Sequence, residues 1–232
     1  MSQRTLHITD DGSCTLYVPE IDEHYHSTKG ALTESLHIFI AMALRHHSSP
    51  LPRVLEIGLG TGLNCLLTLW ESRRTQRPVH YTSIELYPLA VEQVLPLNYP
   101  HRVAEALGLT ADEEALLAAD FAALHSAPWG EDVQLSEHFT LHKVEADYTQ
   151  HTFATPFDVV YFDAFSPEKQ PEMWSAERFS HLYGQMAEGG VLTTYCAKGV
   201  VRRTLQSVGF AVERLPGPVG GKREILRGTK AD

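Results

Sequence analysis

The sequence is poor in cysteine, and its three cysteines form no pattern. Cys14, Cys65 and Cys196 are far apart, odd in number and outside any metal-ligand spacing, which argues against a disulfide framework and a cysteine-based metal site. Long apolar runs are also missing. None approaches the roughly 20 residues of a membrane helix, and the polar segment Met1–Asp11 does not resemble a signal peptide. We therefore expect a reduced, cytoplasmic protein without a membrane partner.

Positive charge is scarce overall but concentrated near the C-terminus. The net charge of −10 argues against a general binder of polyanions. Residues 198–232, however, carry eight Lys or Arg against three acids, so this region has a charge of +5 and the remainder −15. The asymmetry predicts either a localised phosphate-contacting patch or a solvated helix face and strand edge. The thirteen histidines are scattered, so we expect no metal.

The apolar pattern predicts an α/β protein. From residue 51 onward apolar strands alternate with helices, which is typical of a mostly parallel sheet, and two strands after the last helix predict an antiparallel C-terminal edge. Residues 1–50 predict a hairpin and a helix packed on the core as an N-terminal extension. Residues 51–232 form the main domain, with a helical insertion around 101–137. A helix over 172–187 is expected to end at Gly189–Gly190.

A glycine-rich turn follows the first strand of the main domain. The segment EIGLGTG places Gly58, Gly60 and Gly62 between a strand and a helix, where glycine permits a tight turn and a close approach to a ligand. The next strand ends at Glu85, whose carboxylate can accept hydrogen bonds from two ribose hydroxyls. NAD and S-adenosylmethionine both suit these features. The spacing G-x-G-x-G and the preceding acid Glu56 favour a cationic amino-acid tail over a pyrophosphate.

The turn resembles the E/D-x-G-x-G-x-G motif of class I S-adenosylmethionine-dependent methyltransferases, which implies a Rossmann-like sheet. Two further acids end strands at the same edge. Asp147 is expected near the adenine, with a helix N-cap or a loop acid as the alternative. Asp163 ends the fourth strand, so topology places it beside the cleft, again with an N-cap as the alternative.

Longer strings resemble one family. They are YFDAFSPEKQPEMW, GGVLTTYCAKGVVRRTLQSVGF, GKREILRG, EIGLGTGLN, YTSIELYP and YHSTKGALTES, and they span residues 25–228. Together they resemble the MnmC methyltransferase domain family. The resemblance implies methylation of the primary amine of 5-aminomethyl(-2-thio)uridine at the tRNA wobble position, with the tRNA anticodon loop as partner. It also implies that Glu34 and Asn64 contact S-adenosylmethionine and that Tyr25–Glu34 forms a lid, with plain helix-surface positions as the alternative for this segment. In many bacteria this domain is fused to an FAD-dependent oxidase, which these strings do not include, so we expect no FAD.

The implied chemistry requires a neutral amine. An alkylamine has a pKa of ~10.4, so deprotonation near neutral pH costs about 4 kcal/mol. An apolar cage would lower this cost, because desolvation disfavours the ammonium. Phe162, Phe165, Pro167 and Trp174 are candidates for the cage, with core packing as the alternative. We expect Asp163 to orient the amine and to stabilise the charge that develops on nitrogen.

Basic residues near the C-terminus are the candidates for holding the RNA. We predict phosphate contacts for five of them, which are Lys198, Arg202, Arg203, Lys222 and Arg223. Alternatively, Arg223 pairs with an interior acid. The target base has to be extruded or already unstacked, as anticodon-loop bases can be.

Three other functions compete with this interpretation. Methyl or aminopropyl transfer to a small polyamine shares the glycine turn and the acid-lined cleft, but it does not need a basic C-terminal region. A non-catalytic RNA-binding or cofactor-binding module would not need Glu56, Glu85 and Asp163 together. An NAD oxidoreductase fits the glycine spacing least well.

Overall fold

The N-terminal segment forms a small antiparallel sheet in the computed structural model, which describes residues 4–231. Its strands β1 (Thr5–Ile8), β2 (Cys14–Val18) and β3 (Glu23–His24) pair in this order. Asp11 closes the β1–β2 turn by accepting hydrogen bonds from Ser13 N at 3.0 Å and from Thr9 Oγ1 at 2.7 Å. It also accepts from Thr33 N at 2.9 Å, which ties the turn to the following helix.

A larger mixed sheet forms the centre of the fold. Its strands within residues 4–231 are β4 (Arg53–Ile57), β5 (Val79–Glu85), β6 (Asp132–Ser136), β7 (Phe139–Glu145), β8 (Phe157–Phe162), β9 (Met186–Thr194), β10 (Phe210–Pro216) and β11 (Glu224–Lys230). They lie in the order β10-β11-β9-β8-β4-β5-β7-β6. The five central strands, from β9 to β7, are parallel, and the strands at both edges pair antiparallel.

Helices cover both faces of this sheet. Over the described range they are α1 (Ala31–Ser35), α2 (Leu63–Thr75), α3 (Val91–Val94), α4 (Tyr99–Leu107), α5 (Ala111–Ser126), α6 (Ala176–Gly184) and α7 (Gly199–Ser207). A π-helical segment, Leu36–Leu44, continues α1, and short 3₁₀ turns span Leu95–Leu97 and Pro171–Trp174. Two apolar clusters form on either side of the sheet because the central strands are buried on both faces.

The predicted insertion consists of α4, α5 and β6. Thr110 caps α5 by accepting from Glu113 N, and Glu113 bonds back to Thr110 N, so the sequence TADE is a capping box. The buried carboxylate of Asp120 binds Arg73 of α2 at 2.7 Å. The insertion therefore packs against the helix that follows the glycine-rich turn.

The start of β9 differs from the sequence prediction. The predicted helix over 172–187 instead ends at Gly184, and β9 already begins at Met186. Gly189 has a φ of +70°, and the register between β8 and β9 shifts in this region. An irregular strand start can contain two glycines, so Gly189–Gly190 does not mark the end of the helix.

The architecture confirms the predicted fold class. The mostly parallel sheet, the antiparallel C-terminal edge and the N-terminal extension are all present. Among residues 4–231, no helix combines the length and apolar character needed to cross a bilayer.

Candidate active site

A cavity of about 370 Å³ lies at the carboxyl ends of the parallel strands. Residues at the ends of β4, β5, β7 and β8 form its floor, as expected for a doubly wound sheet. The N-terminal segment and the β10–β11 loop close it from the other sides. Nine of the predicted site residues line it, namely Glu34, Gly58, Gly60, Asn64, Glu85, Asp147, Asp163, Phe165 and Lys222.

The glycine turn needs its glycines for backbone conformation and for space. Gly58, Gly60 and Gly62 have φ values of +90°, +51° and +78°, a region that L-residues with a side chain rarely adopt. A Cβ on Gly60 would lie 2.9 Å from Tyr25 Cδ1, and one on Gly62 would lie 2.8 Å from His125 Nε2. Gly62 does not line the cavity. It allows α2 to start against the end of α5.

Backbone N–H groups fix the carboxylate of Glu85 beside the glycine turn. Its Oε2 accepts from Gly60 N at 3.0 Å and its Oε1 from Tyr87 N at 2.8 Å. Each carboxylate oxygen keeps a further lone pair, so the group can still accept hydrogen bonds from two hydroxyls. Asp147 also lines the cavity, and its Oδ1 accepts from Thr149 N at 2.8 Å and Thr149 Oγ1 at 2.7 Å. It thus stabilises its own turn, the alternative that the sequence left open.

Glu56 lies beneath the turn and not in the cavity. Its side chain is fully buried. Ser83 Oγ donates to Oε2 at 2.9 Å, while Oε1 has no hydrogen-bond partner within residues 4–231. Burial raises the pKa of Glu56 to about 8; the Ser83 hydrogen bond opposes this rise and the Asp163 charge adds to it. The expectation that Glu56 directly faces a cationic tail does not match this position, because the strand alternation turns its side chain into the core.

Asp163 is the carboxylate that reaches the cavity from β8. Its Oδ2 accepts a 2.9 Å hydrogen bond from Asn64 Nδ2. Burial raises its pKa to about 7, which the Asn64 hydrogen bond opposes, while the charges of Glu34 and Lys222 act in opposite directions. The carboxyl is therefore fixed in orientation and changes protonation close to neutral pH.

Aromatic rings form one wall beside Asp163. Phe165 and Tyr25 pack with ring centroids 5.3 Å apart, and Tyr195 donates from its hydroxyl to Ala164 O at 2.9 Å. The other candidates for the cage lie elsewhere. Phe162 and Trp174 are buried in the core, where Trp174 Nε1 donates to Phe165 O at 2.8 Å. Their rings stabilise the Asp163 segment from behind.

Pro167 does not line the cavity either. It is the second residue of a short turn in which the backbone N–H groups of Lys169 and Gln170 donate to Ser166 O, both at 2.9 Å. Its position indicates a role in shaping this loop, since proline fixes the local φ.

The N-terminal segment covers the cavity, where the resemblance implied a lid. Tyr25 packs on the glycine turn, and burial raises its pKa to about 12. His26 Nε2 lies 2.7 Å from Thr61 Oγ1. Glu23 accepts from Ser166 N and Oγ at 3.1 Å and 3.0 Å, so the segment also reaches the loop after Asp163.

The basic residues divide into two groups. Lys198 is exposed and pairs with Glu168 of the loop after Asp163, and Arg202 and Arg203 follow Lys198 on α7. Lys222 and Arg223 were also predicted to contact phosphate. Lys222 Nζ lies 2.7 Å from Glu34 Oε1 at the cavity wall, while Arg223 next to it is exposed. The loop between β10 and β11 folds back over the sheet edge, a path that sequence periodicity could not show.

Tyr195, which lines the cavity next to Asp163, was not among the residues predicted from the sequence. A signal was present, because Tyr195 directly follows β9, the parallel neighbour of β8. Ligands bind beyond the carboxyl ends of such strands. Tyr148, which lines the cavity after β7, could have been found by the same argument.

The cavity fits S-adenosylmethionine. Glu85 offers acceptors for hydroxyls, the glycine turn permits close approach of a ligand, and the Asn64 Oδ1 acceptor is buried without a partner in the described chain. Several carboxylates and aromatic faces suit a cationic sulfonium.

Comparison with known proteins agrees with this fit. A family model described as S-adenosyl-L-methionine-dependent methyltransferase matches residues 124–231. Proteins from several bacteria, each described as the tRNA 5-methylaminomethyl-2-thiouridine biosynthesis bifunctional protein MnmC, are similar to this chain. The protein from Azoarcus sp. (strain BH72) is 34% identical over 97% of this chain and 35% of its own length. That from Cupriavidus metallidurans is 31% identical over 94% of this chain and 32% of its own length.

A solved structure of MnmC2 from Aquifex aeolicus aligns over 100% of this chain and 72% of its own, with 25% identity and a TM-score of 0.78. The chain spans about a third of the length of the curated relatives that it matches. In its fold, its cavity and its sequence, the chain is therefore similar to the MnmC-type S-adenosyl-L-methionine-dependent methyltransferases.

Proposed function

We propose that this chain methylates the primary amine of 5-aminomethyl(-2-thio)uridine at the wobble position of tRNA. The curated relatives are named for biosynthesis of the methylaminomethyl-thiouridine that such a step would produce. The observation that carries the proposal is the position of Asp163, at a strand end, held by Asn64 and walled by Phe165 and Tyr195. An amine beside this carboxylate would lie in the same cavity as the glycine turn.

The residues around Asp163 would prepare the amine. When bound, S-adenosylmethionine supplies a methyl group on a sulfonium sulfur; transfer forms a nitrogen–carbon bond as the carbon–sulfur bond breaks, and S-adenosylhomocysteine leaves. The Asn64 hydrogen bond fixes the carboxylate so that it can orient the amine. The Phe165 and Tyr195 rings exclude water on one side, which disfavours the ammonium over the neutral amine.

Asp163 would also accept the proton that the amine loses. An ordinary aspartate has a pKa about 6 units below that of an alkylamine, which makes it a poor base. With the pKa of Asp163 raised to about 7, the gap narrows to about 3 units, or about 4 kcal/mol. A carboxylate close to the nitrogen also stabilises the positive charge that develops there during transfer.

A direct assay tests the reaction. The chain is incubated with methyl-labelled S-adenosylmethionine and tRNA that carries 5-aminomethyl-2-thiouridine, and the nucleosides are then separated and identified by mass spectrometry. We expect label in 5-methylaminomethyl-2-thiouridine and none with tRNA that lacks the aminomethyl group. Label in spermidine or putrescine instead of tRNA would refute the proposal and favour polyamine transfer.

The Asp163→Asn variant tests the role of the carboxylate. Asn keeps the hydrogen bond to residue 64 possible but removes the charge and the base. We expect the single-turnover rate at saturating cofactor and tRNA to fall by about 100-fold or more. Binding of S-adenosylhomocysteine, measured calorimetrically, should change by less than about threefold and serves as the folding control. Full turnover in this variant would exclude the assigned role.

A further inference from the structure

Lys222 and Glu34 form an ion pair in the wall of the cavity. Lys222 Nζ lies 2.7 Å from Glu34 Oε1 and 4.0 Å from the centroid of the Tyr195 ring. The Glu34 side chain is only 12% exposed and that of Lys222 is 37% exposed. Both line the cavity that holds Asp163 and the glycine turn. The pair therefore presents one positive and one negative charge to whatever enters.

Strand order places this pair at one end of the cavity. Five residues follow the order of the neighbouring strands: Asp147 after β7, Glu85 on β5, Gly58 after β4, Asp163 after β8 and Tyr195 after β9. Neighbouring strands lie ~4.8 Å apart. Strand β11 is antiparallel to β9, with Leu226 opposite Thr194, so Lys222 continues the row beyond Tyr195. A ligand whose ribose binds Glu85 can thus direct its other end toward Lys222 and Glu34.

Lys222 is the cation available at that end. Among the described residues that line the cavity, the Lys and Arg side chains are Arg4 and Lys222. Arg4 has other partners, because its Nη1 donates to Gln93 Oε1 of α3 at 3.4 Å and its guanidinium lies 5.8 Å from the Tyr25 ring centroid. His26 is neutral, because burial lowers its pKa to about 4.

We propose that Lys222 binds the α-carboxylate of the S-adenosylmethionine tail while Glu34 binds its ammonium, so that the pair recognises the zwitterion and discriminates against a cofactor without the carboxylate. This inference rests on the proposed function only in taking S-adenosylmethionine as the cofactor. The tail carries one charge of each sign, like the pair. With the carboxylate of the tail beside Lys222 and its ammonium beside Glu34, each of the four charges keeps a partner of opposite sign.

Calorimetric titration with two cofactors tests the inference without the methylation reaction. S-adenosylmethionine and decarboxylated S-adenosylmethionine share the adenosine, the sulfonium and an ammonium, and they differ in the carboxylate. We expect the wild-type chain to bind the first about 10- to 100-fold more tightly, the range of a charge-assisted hydrogen bond. Lys222→Met should lose most of this ratio, because it weakens S-adenosylmethionine binding and leaves the decarboxylated cofactor nearly unchanged.

Three further variants make the result specific. Glu34→Gln should weaken both cofactors alike, since both retain the ammonium, and Lys222→Arg should restore part of the ratio. Lys29→Met is the matched control, because Lys29 pairs with Asp10 in an exposed ion pair outside the cavity. Its ratio should equal that of the wild type.

The outcomes separate this inference from the proposed function. If wild-type chain binds neither S-adenosylmethionine nor S-adenosylhomocysteine, the cofactor assignment fails. If it binds them and Lys222→Met keeps the full ratio, another group binds the carboxylate and the inference is refuted. If Lys222→Met weakens both cofactors equally, Lys222 only maintains the shape of the wall, which also refutes the inference.

Discussion

At the scale of single residues, two acids at the ends of neighbouring strands have different tasks because their side chains point in different directions. Glu56 points into the core and keeps a raised pKa there, while Asp163 points into the cavity and is held by Asn64. A buried acid with a raised pKa makes stability depend on pH. In the folded state it retains a proton that the unfolded chain has already lost.

Near neutral pH, the sign of this dependence follows from four buried groups with strongly shifted pKa values, two acids and two histidines. The pKa of Glu56 rises from 4.5 to about 8 and that of Asp163 from 3.8 to about 7, so both favour the folded state at low pH and lose that effect as pH rises. Burial lowers the pKa values of His26 and His125 from 6.5 to about 4, so stability from these groups increases with pH up to about 6.5. Above pH 6.5 the two acids therefore determine how the free energy of unfolding changes with pH.

We therefore predict that the free energy of unfolding falls between pH 6.5 and pH 8.5, and that Glu56→Gln removes most of the fall. With a folded-state pKa of about 8, Glu56 alone contributes about 2 kcal/mol to the difference over this range. Urea unfolding at both pH values measures it. Glu188→Gln on the exposed surface should keep the wild-type slope. If the unfolding free energy of Glu56→Gln falls with pH as steeply as that of the wild type, Glu56 does not have the raised pKa assigned to it.

At the scale of elements, the sequence predicted the sheet but not every boundary. Apolar strands and the glycine turn were recognisable because their patterns are local, and the fold class is confirmed. The early start of β9 was missed, since two glycines there form an irregular strand start and not a helix end. Strand β6 was missed because it is a half-exposed edge strand with little apolar pattern.

The glycine turn offers a prediction on how α5 supports it. Gly62 and Gly108 both have positive φ, +78° and +64°, so alanine costs about 1 kcal/mol at each. A Cβ on Gly62 would also meet His125 at 2.8 Å and Leu124 at 3.0 Å, whereas one on Gly108 meets nothing within 4 Å. Gly62→Ala should therefore destabilise the chain by about 2–4 kcal/mol in urea unfolding, and Gly108→Ala by about 1 kcal/mol.

The same pair of variants separates backbone strain from crowding. Gly62→Ala should also weaken binding of S-adenosylhomocysteine, because relief of the clash moves the start of α2 and with it the turn. Gly108→Ala lies at the exposed end of α4 and should leave this affinity unchanged. If the two variants lose the same amount of affinity for S-adenosylhomocysteine, α5 does not constrain the turn.

At the scale of the whole molecule, the site depends on segments that are distant in sequence. The floor was predictable, because strand ends meet at one edge of a parallel sheet. The position of Lys222 was not, since a loop of seven residues, 217–223, decides whether it faces solvent or the cavity. Its ion pair with Glu34 joins residues 188 positions apart, a contact that no local pattern encodes.

The uneven charge of the chain leads to the last prediction. With Lys222 in the cavity, four of the five predicted phosphate contacts remain, and three of these, Lys198, Arg202 and Arg203, lie on or just before α7. Lys198 pairs with Glu168 of the loop that follows Asp163, which places this surface beside the site. We predict that changing all three to Gln weakens tRNA binding at low salt and makes it less sensitive to salt.

Filter binding of labelled tRNA over a salt series measures the effect. Each phosphate contact adds about 0.7–0.9 to the slope of log affinity against log salt, so the triple variant should lower the slope by about 2. A control triple, Lys29→Gln with Arg74→Gln and Arg102→Gln, removes the same charge from ion pairs outside this surface and should keep the slope. If both triples lower the slope equally, only the net charge matters. If the first has no effect, the RNA binds another face.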